Sequence, residues 1–229
     1  METTPCGQAG TSQNSRISER LIFLPKITPF ERCSDAYDDW FRKNADAYAA
    51  ELALIRGFLP LEAAYGMEVG AGSGKFAGPL GIRIGVEPSG EMAKKAVKQG
   101  VQVVRGVAEN LPFADSAFDF VLMVTTICFV DNVFQSFSEA RRVLKKGGRL
   151  IVGFVDRESE LGRQYEAKRE KSRFYREARF FSAREVLQCF NSSGFSIRKI
   201  AQTLIPGSHL NDMRQGYGQG AFVGVSGEK

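Results

Sequence analysis

Histidine is almost missing from this chain: His209 is the single one among 229 residues. Cysteine is scarce as well. The four present, Cys6, Cys33, Cys128 and Cys189, stand far apart and form no C-x-x-C pair. Together these shortages exclude a zinc site of ordinary ligand spacing and predict no bound metal. Scattered thiols are read as reduced, which predicts a cytoplasmic protein. No apolar run reaches the roughly eighteen residues of a membrane span. The most apolar stretch, Phe118 to Val130, is broken by Asp119, Thr125 and Thr126. The first residues do not pair a charged segment with an apolar one, so no secretory leader is expected. Excess charge is also small, at +5, which permits an anionic partner without requiring one. The basic residues of Arg157–Arg184 alternate with Glu158, Glu160, Glu166, Glu170 and Glu177. A salt-bridged, solvated helix explains that run with no nucleic acid. What remains is 43% hydrophobic and 25% charged, the composition of one globular domain with a sizeable core.

Against this plain background, Met67-Glu68-Val69-Gly70-Ala71-Gly72-Ser73-Gly74-Lys75 stands out. A short apolar segment runs into glycines at alternate positions, the pattern of a buried strand ending in a tight loop before a helix. Bare glycines let a ligand reach the main chain, and the N–H groups opening a helix suit a carboxylate or phosphate. A dinucleotide fingerprint would place its last glycine at position 75, where Lys75 stands. A phosphate loop would need Ser or Thr at Phe76 and glycine at Val69. Read without repair, the segment is E-x-G-x-G-x-G.

Taken in order, the chain alternates strands and helices. Residues 1–16 are polar and without apolar period, and are expected to be disordered. Leu21–Leu24 is expected to pack as an extended arm. Ser34 is expected to cap a helix from Asp35, with Tyr37, Phe41, Tyr48, Leu52 and Ile55 at helical spacing and Trp40 on the same side. Strands are predicted at Tyr65–Val69, Ile82–Val86, Val101–Val104, Phe118–Val124 and Leu150–Val155. A short helix near Lys75 should stop at Gly78-Pro79. Ser89 should cap the next helix, which ends before Gly100. The helix through Val133, Phe137, Ala140 and Leu144 should close at Gly147-Gly148. Arg157–Arg179 reads as an inserted helical segment. Ser182 and Glu185 form a capping box, and Gly194 ends that helix. Ile197–Ile205 and Ala221–Val225 read as a final antiparallel pair. Such alternation implies a parallel sheet covered on both faces, with ligands outside the carboxyl ends of its strands. The loops after Val69, Val86, Val104 and Val124 should therefore meet at one crevice.

Four segments in this order carry a family resemblance: Met67–Gly74, Gly85-Val86-Glu87-Pro88-Ser89, Ala108-Glu109-Asn110-Leu111-Pro112-Phe113 and Leu144-Lys145-Lys146-Gly147-Gly148. They resemble successive motifs of the ubiquinone/menaquinone-biosynthesis-type class I methyltransferases, which depend on S-adenosylmethionine (SAM). Tyr37-Asp38-Asp39-Trp40-Phe41 is similar to a lid segment of that family. The resemblance implies an α/β, Rossmann-like, doubly wound sheet of seven strands, mostly parallel with one antiparallel. It implies an N-terminal arm and lid helices at 17–60 and a SAM-binding domain at 61–229.

The resemblance also implies a site. Glu68, Gly70, Ala71, Gly72 and Gly74 would serve the methionine end of SAM. Glu87, seventeen residues after Gly70 and followed by Pro88, would accept hydrogen bonds from the ribose hydroxyls. Val107 stands where the family often has an adenine-binding aspartate, which shifts that contact to the Ala108 N–H or Glu109. Val124 and Thr125 would close the cofactor side. Tyr37 and Trp40 could stabilise a sulfonium through their ring faces. Tyr37, Thr126, Cys128 and Phe129 would face the acceptor. Cys128 and Phe129 replace a histidine pair, so no general base is evident. Cys128 lacks a sequence partner and reads as a buried thiol. His209 reads as a solvated loop residue. The expected activity is methyl transfer to a small molecule; the alternative is a SAM-binding module without catalysis.

Overall fold

The computed structural model describes residues 26–60, 64–209 and 212–229. The expected tail at 1–16 and arm at Leu21–Leu24 lie outside these residues. Three helices come first: α1 (Thr28–Arg32), α2 (Ser34–Lys43) and α3 (Ala45–Arg56). Then follow β1 (Gly66–Val69), α4 (Ala77–Leu80), β2 (Ile84–Val86), α5 (Gly90–Lys98), β3 (Gln102–Val104) and β4 (Phe118–Val124). The remainder is α6 (Val133–Val143), β5 (Leu144–Val155), α7 (Glu160–Lys168), α8 (Ala183–Ser192), β6 (Ser196–Thr203), β7 (Arg214–Gln215) and β8 (Phe222–Glu228). No helix among the described residues is long and apolar enough to cross a membrane.

The strands form one sheet in the order β3-β2-β1-β4-β5-β8-β6-β7. Strand β4 lies between β1 and β5, parallel to both, which is why its run Phe118–Val124 is apolar apart from Asp119. Its Val121 and Met123 join Phe137 and Phe190 of α6 and α8 on one face. Phe120, Leu122 and Val124 join Leu54, Ile55 and Phe76 on the other. A register irregularity between Phe118 and Phe120 lets Phe118 share the first face.

The sheet has eight strands rather than the expected seven, and two antiparallel members rather than one. Strand β8 is antiparallel to β5 and β6. The additional β7 pairs through Gln202 and Arg214. The Gln202 side chain holds the loop back by accepting Gln219 N–H and Gly220 N–H at 2.8 and 2.6 Å.

Three local expectations are corrected. Ser34 is the first residue of α2 and caps nothing; Cys33 is the N-cap, without a side-chain bond. Helix α4 includes Gly78 and Pro79, because a proline in a first turn costs no helix hydrogen bond; Gly81, at φ +74, ends it. Helix α6 stops at Val143, and Leu144-Lys145-Lys146-Gly147-Gly148 already belongs to β5. Leu144 pairs with Phe118, Lys145 Nζ donates to Asp119 Oδ1 at 2.8 Å, and Lys229 N–H donates to the Gly148 carbonyl. Those tertiary contacts override the helical pattern. The Ser182–Glu185 capping box is present.

Candidate functional site

Strand β1 delivers the glycine loop to the carboxyl edge of the sheet. Gly70 and Ala71 N–H both donate to the Val86 carbonyl, at 2.8 and 3.0 Å, tying the loop to β2. A Cβ on Gly70 would stand 2.4 Å from Thr126 Cγ2, so that position must be bare for the two loops to meet. A Cβ on Gly72 would find Met92 Cε at 3.6 Å and Tyr37 Oη at 3.8 Å, inside the cavity the loop borders. Gly72 N–H donates to Glu87 Oε2 at 2.8 Å, and Ser89 N–H to Glu87 Oε1 at 2.8 Å. Glu87 is 6% exposed; burial raises its pKa, and the two N–H bonds pull it back.

That cavity is a cleft open to solvent, with about 750 Å³ of space between its walls and mouth, open solvent included. Gly70, Gly72, Glu87, Pro88, Ala108, Glu109, Val124 and Thr125, expected on the cofactor side, all line it. So do Tyr37, Thr126 and Phe129. Five candidates stand off its wall. Glu68 points to the opposite side of β1, where its carboxylate accepts Ala77 N–H at 2.8 Å and anchors α4; burial raises its pKa well above normal. Ala71 packs toward Gly85, and Gly74 allows α5 to approach, since a Cβ there would lie 3.1 Å from Ala96 Cα. Trp40 packs edge-on against Phe41 at 5.2 Å. Cys128 lies in a smaller neighbouring pocket; its Sγ–H bonds the Thr125 carbonyl, and burial raises its pKa to about 12. That thiol is no ready nucleophile.

Glu109 lines the cavity, yet its Oε1 accepts Asp131 N–H at 2.7 Å and Asn132 N–H at 3.1 Å. The carboxylate thus holds the entry to α6. Thr125 is left-handed, at φ +51, although it is β-branched. Such a backbone costs on the order of 1–3 kcal/mol and collects at functional sites. Here it turns the chain sharply where β4 ends, so that Thr126 Oγ reaches the Val69 carbonyl at 3.0 Å.

Helices α1 and α2 roof the cavity. Phe30 packs on Phe129 at 5.0 Å and on Tyr37 at 5.7 Å between ring centroids. Lys26 pairs with Asp131 across the mouth at 3.6 Å. Glu31 accepts Gly90 N–H, and burial opposes but does not outweigh the bonds that lower its pKa. Asp38 takes Ser73 Oγ–H at 2.6 Å and Lys95 Nζ at 3.0 Å, pinning α2 to the glycine loop and α5. Lys26, Ile27, Phe30, Met92, Val130 and Asp131 line the cavity without having been singled out in the sequence. Met92 was legible as an apolar position one turn into α5. The short α1 carries no periodic signal.

Comparison with known proteins agrees with this geometry. A family model described as a methyltransferase domain matches residues 67–152. A crystal structure of a SAM-dependent methyltransferase from Thermotoga maritima, described as a possible histamine N-methyltransferase, superposes with TM-score 0.84. It is 50% identical, over 89% of this chain and 99% of that one. An uncharacterized protein of Methanocaldococcus jannaschii is 42% identical over 87% of this chain and 98% of its own length. A demethylmenaquinone methyltransferase of Thermobifida fusca is 41% identical, over 31% of this chain and 28% of its own. The chain belongs to the SAM-dependent methyltransferases.

The cavity of this methyltransferase fits SAM on its own terms. Gly72 leaves open the space a side chain would fill. Glu87 retains acceptor capacity beyond its two N–H bonds, because a carboxylate offers about four lone-pair sites. Val107 lines the wall where an aspartate was the family expectation, and supplies an apolar face.

Proposed function

We propose that this methyltransferase modifies a small-molecule acceptor held between the Thr125–Phe129 loop and the aromatic roof of Phe30 and Tyr37. The observation that carries the reading is the shared wall. Gly72 and Glu87 stand on one side of the cavity, and Tyr37, Thr126 and Phe129 on the other. Bound SAM supplies a methyl group on a positively charged sulfur. The chain's part is chiefly alignment, which can contribute about 7–11 kcal/mol at best. Gly72 N–H and Glu87 fix one end of the site, with Glu87 as the acceptor for the ribose hydroxyls. Tyr37 and Phe129 present ring faces and edges, and exclude water. The smaller residues Thr125 and Thr126 shape the passage between donor and acceptor.

An acceptor of small size suits the closed roof. Arg157 and Arg169 are paired with Glu185 and Glu166, so the basic segment forms ion pairs of its own without a nucleic acid. Cys33, Cys128 and Cys189 are free thiols, which suits a cytoplasmic setting. The test is transfer of labelled methyl from SAM to a panel of small amines, alcohols and thiols. Product with one class, abolished by Gly72→Val, supports the reading. Tight SAM binding with no transfer to any class favours a binding module instead.

A further inference from the structure

Among the described residues, the charged side chains that line the main cavity are Lys26, Glu87, Glu109 and Asp131. They differ in what they already hold. Glu87 accepts Gly72 and Ser89 N–H at the tip of β2. Glu109 is 4% exposed, and its Oε1 accepts both Asp131 N–H and Asn132 N–H, so it serves the chain itself. Lys26 and Asp131 serve nothing else. Lys26 Nζ stands 3.6 Å from Asp131 Oδ1, an ion pair too long for a hydrogen bond. Neither side chain makes a hydrogen bond with any described residue. The two are 26% and 34% exposed.

The backbone nevertheless fixes where both groups stand. Glu109 holds the N–H of Asp131, and the next residue, Asn132, opens α6 by accepting Gln135 N–H at 3.0 Å. Lys26 leads into α1, where the Ile27 carbonyl accepts Glu31 N–H and Phe30 packs on Phe129 of the Asp131 loop. A donor and an acceptor thus reach the cavity side by side from two separate segments. Their chain neighbours Ile27 and Val130 line it with apolar surface, as does Val107. Apolar faces around a polar edge suit a flat ring that carries its hydrogen-bonding groups on its rim.

Strand order says which part of SAM would lie there. Strand β2, with Glu87 at its tip, runs between β1 and β3. A ribose held at Glu87 carries the methionine chain on one side and the base on the other. The methionine end belongs with Gly72, after β1, so the base falls toward Ala108 and Glu109, after β3. Asp131 is bonded to Glu109 and stands on that side.

We propose that Asp131 and Lys26 read the base of SAM, Asp131 accepting from the adenine amino group and Lys26 donating to the neighbouring ring nitrogen. An adenine edge sets an N–H donor beside a nitrogen acceptor, the complement of a carboxylate beside an ammonium. Bonds to charged partners are the stronger kind. Hypoxanthine has oxygen in place of the amino group, which puts an acceptor where Asp131 needs a donor. A ring tethered through its ribose at Glu87 cannot turn to exchange the two positions. A site built around such a bond rejects the analogue that lacks it, because its own polar group is left unpaired. The residue before α1 is then part of the cofactor site as well as of its roof.

This inference rests on the reading of the cavity as a SAM site, and the experiment separates the two. The full chain is titrated by calorimetry with S-adenosylhomocysteine and with S-inosylhomocysteine, its deaminated analogue. The adenosyl compound is expected to bind roughly tenfold or more tightly. Asp131→Ala removes the carboxylate but keeps the N–H that Glu109 holds, and is expected to cut that preference to about threefold or less. Lys26→Met keeps the stem without the charge, and is expected to weaken S-adenosylhomocysteine by about threefold or more. A pair that only latched the mouth would lose both ligands alike on substitution, and the preference would survive. A preference that survives Asp131→Ala, its absence in the parent, or unaltered affinity in Lys26→Met overturns the inference and leaves the methyltransferase reading intact. Failure of S-adenosylhomocysteine itself to bind overturns both.

Discussion

Gly72 donates its N–H to Glu87 Oε2 at 2.8 Å, joining the loop after β1 to the tip of β2. The bond fixes the carboxylate at the cavity wall, and Glu87 is buried there at the expense of a raised pKa. A group held against its solvation preference at a cavity is a functional candidate on physical grounds.

Glu87→Ala is expected to weaken SAM binding by about 1.5–3 kcal/mol, the cost of losing charge-assisted hydrogen bonds. Isothermal titration reads the change directly. Unaltered affinity would remove Glu87 from the ribose contact.

Gly72→Val is expected to abolish SAM binding while the domain still unfolds cooperatively. Its side chain would enter the cavity near Met92 and Tyr37, and φ +54 adds strain for a β-branched residue. Circular dichroism melts alongside titration separate lost binding from lost fold. A folded variant with normal affinity contradicts the placement of the loop.

Helices α1 and α2 roof the cavity through contacts that are individually modest. Exposed and half-exposed ion pairs contribute about 0–1 kcal/mol each. Opening of this segment to admit ligand is therefore expected, with closure when SAM binds. Hydrogen exchange over residues 35–50 should slow on adding S-adenosylhomocysteine. Asp38→Ala, which removes the bonds to Ser73 and Lys95, should speed exchange there in the free protein. Equal protection with and without ligand would make Tyr37 a permanent core residue.

Most of the sheet was legible because its strands keep one period. The run at β4 showed a strand covered on both faces, and the capping box opening α8 is local chemistry that any context preserves. The meeting of these loops at one cavity was legible for the same reason: Gly70, Gly72 and Glu87 sit at strand ends whose positions the alternation fixes. What escaped depends on distant partners. Strand β5 begins at Leu144 because Phe118, Asp119 and Lys229 claim that segment from elsewhere in the chain. Strand β7 exists because Gln202 holds a glycine-rich loop. Glu51 sits at an ordinary buried-face position of an amphipathic helix, and nothing in its neighbours marks it. Only the tertiary packing of α3 on β6 and β8 buries it.

Glu51 also sets a pH dependence of stability. Its folded pKa of about 8 lies above the unfolded value near 4.5, so the folded chain binds more protons between those limits. Stability is accordingly full below about pH 4.5 and falls as pH rises toward 8. Glu87 and Glu68 act in the same direction. Glu51→Gln, which cannot ionise, should flatten the decline and exceed the parent by on the order of 3 kcal/mol at the alkaline end. Urea unfolding from acid to mildly alkaline pH measures it. Parallel curves for the two proteins would contradict the buried, unpaired state of Glu51.

The central claim is that the cavity walled by Gly72 and Glu87 is built for SAM. Calorimetric titration of the same protein with SAM, S-adenosylhomocysteine and NAD tests it most directly. The expected result is one site per chain for SAM and S-adenosylhomocysteine, competing with each other, and no measurable heat with NAD. Comparable binding of NAD, or no binding of SAM, would contradict it.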